Sequence, residues 1–311
     1  MRISIVIPTL NEEKDLPRLL QSIENQTFKD YEIIIADAGS KDKTLEIAKQ
    51  YNARVVEGGM PAVGRNSGAK AANGDFLFFF DADVKLPEDF LKKAYLEMQK
   101  RYLDLATCKF NPLSEKRIDK VMHEITNLGI KIYQFTDPHA FGFCIFVSRR
   151  LFNRTRGFDE SIRFMEDADF VKRASKYRSL RVLRTTSIYA SIRRFEREGR
   201  FRMLMKFMQA EIYRKLKGEI RKDNIGYELG NYDKKRERLL EPKLRKLEEK
   251  LIMLNQDYKL FTKKYFRTGR LARGYPRQLN KLRERFNKVG NSFRKITHKR
   301  RQIKNEQIKS E

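Results

Sequence analysis

The sequence predicts an α/β domain with a mostly parallel sheet, followed by an all-α, basic C-terminal region folded as a helical hairpin. Three observations predict it. Short β-rich runs alternate with helical patterns along the first half of the chain. The run Phe76-Leu77-Phe78-Phe79-Phe80 is apolar throughout, as in a central strand covered on both faces. Charge is unevenly placed: residues 1–190 hold 31 Lys+Arg and 26 Asp+Glu, and residues 191–311 hold 37 and 15, so most of the net +27 lies in the second part.

The elements follow in order. Ile3-Ser4-Ile5-Val6-Ile7 is a strand ended by Pro8. Leu16, Leu19, Leu20 and Ile23 make a helical stripe, with Pro17 in its first turn. Residues 31–36 read as a buried strand, and Ser40 as the cap of a helix that buries Leu45 and Ala48. Val55-Val56 is another short strand. Residues 62–72 read as a helix, with Asn73-Gly74 as a left-handed stop. The strand at 75–80 comes next. Ligands of such sheets bind beyond the carboxyl ends of the strands, where Asp37 and Asp81 stand.

The expected domains are 1–195, 196–232 and 233–311. In the second, residues 200–217 form an amphipathic helix with Phe201, Leu204, Phe207 and Leu216 on its apolar face and Arg200, Lys206, Arg214 and Lys217 around it. In the third, Leu240, Leu244, Leu247, Leu251, Leu254, Tyr258, Phe261 and Tyr265 alternate spacings of four and three, and a second seam runs from Leu279 to Ile296. Two such seams joined by a Gly/Arg-rich break make an antiparallel hairpin.

Composition excludes several classes. Two cysteines, Cys108 and Cys144, make no disulfide framework and suit a reducing compartment. No apolar run approaches the ~20 residues of a membrane span, and no secretory leader is expected, because Met1-Arg2 runs directly into a strand pattern. The expected location is cytoplasmic, peripheral on the cytoplasmic face of the membrane.

The chemistry-bearing residues gather at strand ends. Asp81-Ala82-Asp83 offers two carboxylates in a loop, which suits a hard cation, Mg²⁺ or Mn²⁺, whose shell substrate phosphates complete. Asp37-Ala38-Gly39-Ser40 places a carboxylate where a base or ribose can donate to it. Pro8-Thr9-Leu10-Asn11-Glu12 places a second. Glu166-Asp167-Ala168-Asp169 sets three acids at a helix start, more than a cap requires, and one can serve as general base. Arg193 and Arg194 suit equally a cationic clamp on phosphate groups and a plain solvated basic run. His139 is a lone histidine, more often structural than functional. His123 and His298 have no partners at metal-ligand spacing.

Residues 5–12, 37–44, 64–68, 74–83 and 157–169, in this order, resemble glycosyltransferase family 2, with the GT-A fold, a Rossmann-like arrangement, over about residues 1–195. The resemblance implies inverting, metal-assisted transfer of a sugar from a nucleoside diphosphate to an acceptor hydroxyl, on a glycan or lipid-linked acceptor. In such enzymes the residues matching Pro8, Thr9, Glu12 and Asp37 hold the nucleoside, and Arg65 matches a position near base and ribose. Asp81 and Asp83 match the metal and diphosphate motif, Asp83 being the usual direct ligand. The Glu166-Asp167 pair matches the family's catalytic acids, with Asp167 at the position of the general base. The Gln-x-x-Arg-Trp motif of processive members is missing, as the chain has no Trp, so addition of one sugar is expected.

The basic tail has three competing uses. For the amphipathic helix, packing onto the preceding domain weighs as much as all of them; among the three, docking on an anionic membrane leads, because many enzymes of the family it resembles use lipid-linked acceptors. Self-association through the hairpin follows, and nucleic acid is the least expected partner. An inactive transferase-like adaptor is the alternative function, opposed by the intact Asp81, Asp83, Glu166 and Asp167. A nucleotidyltransferase lacks support, because residues 8–13 contain neither Gly nor Lys.

Overall fold

The computed structural model describes residues 2–134 and 137–200, together with Met203, Lys206, Phe207, Gln209, Ala210, Tyr213, Arg214 and residues 218–221. The heptad seams, the expected domain 233–311 and most of the linker lie outside the described residues. Contacts divide the chain into two compact units. The first comprises 1–115 and 126–236; the second takes 116–125 with 237–311.

In the first unit the chain runs β1 (Ile3–Thr9), α1 (Leu16–Glu24), β2 (Tyr31–Asp37), α2 (Thr44–Gln50), β3 (Arg54–Glu57), α3 (Pro61–Ala71), β4 (Phe76–Phe79), β5 (Val84–Lys85), α4 (Phe90–Lys100) and β6 (Leu105–Pro112). After α5 (Arg117–Tyr133), whose first part belongs to the second unit, come β7 (Ile145–Ser148), α6 (Arg149–Arg154), α7 (Glu166–Ser175), β8 (Arg181–Ala190) and α8 (Arg193–Glu198). The sheet order is β3-β2-β1-β4-β7-β6-β8-β5. Pairings β1·β2, β1·β4, β2·β3 and β6·β8 are parallel; β4·β7, β6·β7 and β5·β8 are antiparallel. The parallel half is the part legible as alternating strands and helices. The antiparallel strand β7 enters from a later stretch that carries no such alternation.

Both faces of the sheet are covered. Ile3, Ile5, Ile7, Phe78 and Phe80 join Leu16, Leu19, Leu20 and Ile23 of α1 in one core. Val6, Ile34, Leu77 and Phe79 join Ala62 and Ala69 of α3 and Phe170 and Val171 of α7 in the other. Successive strand residues face opposite layers, so 76–80 had to be apolar at every position.

Two local expectations are corrected. Ser40 does not cap α2, whose first flanking residue is Lys43; its hydroxyl is drawn away to Asp37. Asn73-Gly74 is not a left-handed stop: positive φ is found elsewhere, and α3 ends because Ala72 turns extended, at ψ 148°. The Glu32 carboxylate on neighbouring β2 accepts from the Asn73 N–H at 2.5 Å and from Ser4 at 2.7 Å, which anchors the turn. Gly74 is required for a different reason: a β-carbon there would lie 2.7 Å from the Ser4 nitrogen.

The amphipathic helix of 200–217 is helical at each described position between 203 and 214. Met203 and Ala210 are buried, and Phe207 stacks on Phe164 at 5.9 Å. Part of the apolar stripe thus faces the α/β domain. Among the rim cations, Lys206 pairs with Glu198 at 2.6 Å and Arg214 with Glu219 at 2.8 Å. No described helix is long and apolar enough to cross a membrane.

Candidate active site

The ends of β1 and β2 are in register, Thr9 beside Asp37. The Thr9 hydroxyl donates to Asp37 Oδ1 at 2.9 Å. Asp37 Oδ2 accepts from the N–H groups of Gly39 and Ser40 at 2.9 and 2.8 Å, and Oδ1 from the Ser40 hydroxyl at 2.5 Å. Gly39 makes this tight turn at φ +87°, a conformation costly for any side chain. The loops after β1 and β2 are laced together. Asn11 N–H donates to Ser40 Oγ, Glu12 N–H to Thr44 Oγ1, and Lys41 N–H to Asn11 Oδ1, each at 2.8 Å. Pro8 lies beside Ala36 in the ladder, and Gly64 of α3 passes so close that a β-carbon would meet Pro8 Cβ at 3.2 Å. The result is a rigid shelf with the buried Asp37 carboxylate at its centre.

A second group forms around Arg65 on α3. Its guanidinium is buried, with Nη1 donating to Glu166 Oε1 at 2.6 Å and Nη2 to Asp81 Oδ1 at 2.9 Å. The Phe158 ring lies 5.6 Å below it. Burial opposes the charge on Arg65, but Asp81, Glu166 and Asp167 outweigh it and hold the proton more tightly than usual. The resemblance sets Arg65 near the base and ribose; the structure sets it between Asp81 and Glu166. Arg65 is therefore the residue that brings the acid after β4 to the acids opening α7.

Glu166, Asp167 and Asp169 occupy the first turn of α7, where the helix N-terminus favours negative charge. Met165 enters the helix in left-handed conformation, φ 65°. Asp167 Oδ2 accepts from the Gly142 N–H and Oδ1 from the Ala168 N–H, both at 2.7 Å. These bonds aim the carboxylate. Burial pushes the Asp167 carboxyl above its ordinary value, against the pull of Arg65. Burial and then Asp167 push Glu166 up to about 7, again against Arg65.

Arg193 joins the two loops from the far side. Nη2 donates to Glu12 Oε1 at 2.7 Å, Nη1 to Asp15 Oδ2 at 2.6 Å, and Nε lies 3.5 Å from Asp83 Oδ2. Arg18 binds Asp15 at 2.6 Å and the Asp83 carbonyl at 3.0 Å. Burial pushes Asp83 up to about 7; Arg193 opposes this, while Asp81, Glu12 and Asp15 reinforce it. Arg194 is the next residue of α8. No motif marks Asp15, Arg18 or Gly142, and only the folded chain brings them here. His139 is turned back on its own loop, Nδ1 at 3.0 Å from the Asp137 carbonyl, its ring 5.9 Å from Tyr133. Cys108 and Cys144 are buried free thiols.

The residues fit an open site for a hard divalent cation. The donors are carboxylates, and the Asp81 and Asp83 side chains remain 40% and 24% exposed, so the cation's remaining positions would fall to water and phosphate. Among the described residues no three His, Cys, Asp or Glu side chains are grouped so as to hold a metal ion, so the chain itself offers at most this pair.

Residues 4–155 match the family model described as glycosyl transferase family 2. This domain belongs to glycosyltransferase family 2. The match covers the shelf, Arg65, Asp81 and Asp83; the acids of α7 lie beyond it. An uncharacterized glycosyltransferase, EpsJ, of Bacillus subtilis is 30% identical over 187 residues, 54% of each chain. A poly(ribitol-phosphate) beta-glucosyltransferase of Bacillus spizizenii is 32% identical over 143 residues, 42% of this chain and 23% of the other. This chain thus spans about half of the first relative's length and less of the second's. Residues 1–349 of Staphylococcus aureus TarS, crystallised with UDP-GlcNAc, share the fold at TM-score 0.52 and 24% identity, over 68% of this chain and 67% of that one. The α/β fold is that of the GT-A glycosyltransferases.

Proposed function

We propose that this chain moves one sugar, with inversion, from a nucleoside-diphosphate sugar to an acceptor hydroxyl, assisted by Mg²⁺ or Mn²⁺ at Asp81 and Asp83. The observation that carries the reading is the Arg65 bridge, 2.9 Å to Asp81 and 2.6 Å to Glu166, which unites the donor-gripping motif with the acid pair. The nucleoside lies on the shelf of Pro8, Thr9, Glu12 and Asp37, whose carboxylates accept from base and ribose. Asp167, aimed by Gly142 and Ala168, takes the proton of the attacking hydroxyl, and its raised affinity for protons suits that role. Arg65 stays charged beside Glu166 and Asp81 and keeps the acid cluster from repelling itself apart. A divalent cation, when bound, supplies positive charge against the departing diphosphate.

The TarS complex supports a uridine donor, and the poly(ribitol-phosphate) relative supports a polyol-phosphate or glycan acceptor. A lipid-linked acceptor and peripheral attachment at the cytoplasmic face of the membrane belong to the same proposal, through the basic tail. The test is a thermal-shift panel of nucleotide-sugars with Mn²⁺. A true donor at 100 times its dissociation constant adds ~2.7 kcal/mol of stability. Asp83→Ala, still folded, should lose both that shift and transfer. A full panel without a shift, or Asp83→Ala with normal turnover, sinks the reading.

A further inference from the structure

The donor-end acids are already neutralised from within the chain. Glu12 and Asp15 follow β1, and Asp83 follows β4; one guanidinium, Arg193, meets all three at 2.7, 2.6 and 3.5 Å. The contacts span 181 and 178 residues of sequence to Glu12 and Asp15. The short segment that carries Arg193 is tied at its root: β8 ends at Ala190, paired with Val84, the neighbour of Asp83. Ile192 is buried beside that root. Beyond it, α8 runs only from Arg193 to Glu198, buries no residue, and stops at Gly199 with φ +86°. The Arg193 side chain is 30% exposed and remains in reach of solvent. The anchored root fixes where the segment carrying Arg193 leaves the sheet, and its guanidinium meets the three acids from the solvent side.

We infer that Arg193 is an exchangeable counter-ion of the donor site: it holds Glu12, Asp15 and Asp83 together, and a divalent cation that takes Asp83 competes with it. A divalent cation on the Asp83 carboxylate repels the guanidinium 3.5 Å away and weakens that contact, the longest of the three. Displacement frees the guanidinium on its short segment and releases Glu12, which the proposed shelf needs for the nucleoside. Arg193 is thus a positioning residue whose release couples cation binding to the opening of the nucleoside shelf. The coupling acts both ways, because a ligand that draws Arg193 away from Asp83 must strengthen cation binding by the same factor. This inference rests on the cation reading of Asp83 given above.

The test measures Mn²⁺ alone. Full-length protein, Arg193→Gln, Arg193→Lys and Asp83→Ala are titrated with MnCl₂ without nucleotide, and free Mn²⁺ is counted by electron paramagnetic resonance. Circular dichroism confirms that each variant is folded. Arg193→Gln should bind Mn²⁺ tighter by roughly five- to tenfold, the lower end of typical site-to-site couplings. Arg193→Lys keeps the charge but loses the fork, and should fall between. Asp83→Ala should lose the site. Equal or weaker Mn²⁺ affinity in Arg193→Gln than in the parent overturns the exchange while leaving the cation reading intact. No Mn²⁺ binding in either protein overturns both.

Discussion

Gly142 lies against Arg65 so closely that a β-carbon on residue 142 would stand 2.2 Å from Arg65 Nη2. The same residue donates its N–H to Asp167. One glycine therefore sets the positions of the buried cation and of the proposed base. Gly142→Ala must move the guanidinium, which is pinned to Asp81 and Glu166 and cannot give way as a surface side chain does. The expected cost is about 1–3 kcal/mol of stability, as in overpacked cores. Urea denaturation checks this. Turnover should fall further than the stability loss accounts for, because Asp167 loses its aim. A Gly142→Ala enzyme with full activity would show that neither contact matters to transfer.

Asp167→Asn tests the base itself. Asparagine preserves size and one acceptor oxygen, so either Gly142 or Ala168 can still donate to it, while the proton acceptor is gone. Donor affinity, measured by calorimetry, should hold, and turnover should fall by ~100-fold or more. Lost donor affinity with intact turnover would make Asp167 a structural residue.

Much of the donor side was legible in the sequence, because each loop motif follows a strand whose apolar pattern is unambiguous. Asp37, Asp81 and Glu12 could be placed at the same edge of a sheet for that reason alone. The rest depended on side-chain reach across long separations. Arg65 is a mid-helix arginine in α3 with no local sign that its guanidinium is buried between two acids. Ser40 looked like a helix cap because a hydroxyl before a helical pattern usually is one; the stronger acceptor, Asp37, lay three residues back. The turn at Asn73-Gly74 likewise obeyed Glu32 on the adjacent strand rather than its own backbone preference. Strand β7 escaped the alternating pattern because it runs antiparallel, between two strands whose partners come from other parts of the chain.

Glu97 on α4 makes a pH-dependent contribution to stability. Burial works to raise its pKa, but hydrogen bonds from the Thr185 hydroxyl and N–H, the Arg184 N–H and Arg101 outweigh it and hold the carboxyl below its ordinary value. A pKa depressed by folding contributes stability above the unfolded value and loses it as pH falls through the folded value. The native protein should therefore be more stable than Glu97→Gln at pH 7, with the gap closing as pH falls below the ordinary glutamate range near 4.5. Urea titrations of both proteins from pH 7 downward measure the gap. A gap that stays constant with pH would mean that the charge of Glu97 is irrelevant and only its shape matters.

The last prediction separates packing from membrane docking in the amphipathic helix. Phe207 stacks on Phe164 at 5.9 Å and meets the edge of Phe141 at 6.5 Å, while Ala210 and Ile220 bury with Phe164. An aspartate at 207 would set an unpaired charge in this aromatic contact. Phe207→Asp should destabilise the protein by ~1–3 kcal/mol, the usual cost of an uncompensated polar group in a protein interior. Phe164→Ala, which removes the partner ring from the domain side, should destabilise in the same direction, and the double variant should lose less than the sum because the two rings share one contact. A helix that docks on lipid through Phe207 would behave otherwise. Phe207→Asp would then leave stability unchanged and abolish co-sedimentation with anionic vesicles. Chemical denaturation of the three variants, alongside vesicle sedimentation of Phe207→Asp at low salt, tells the two apart.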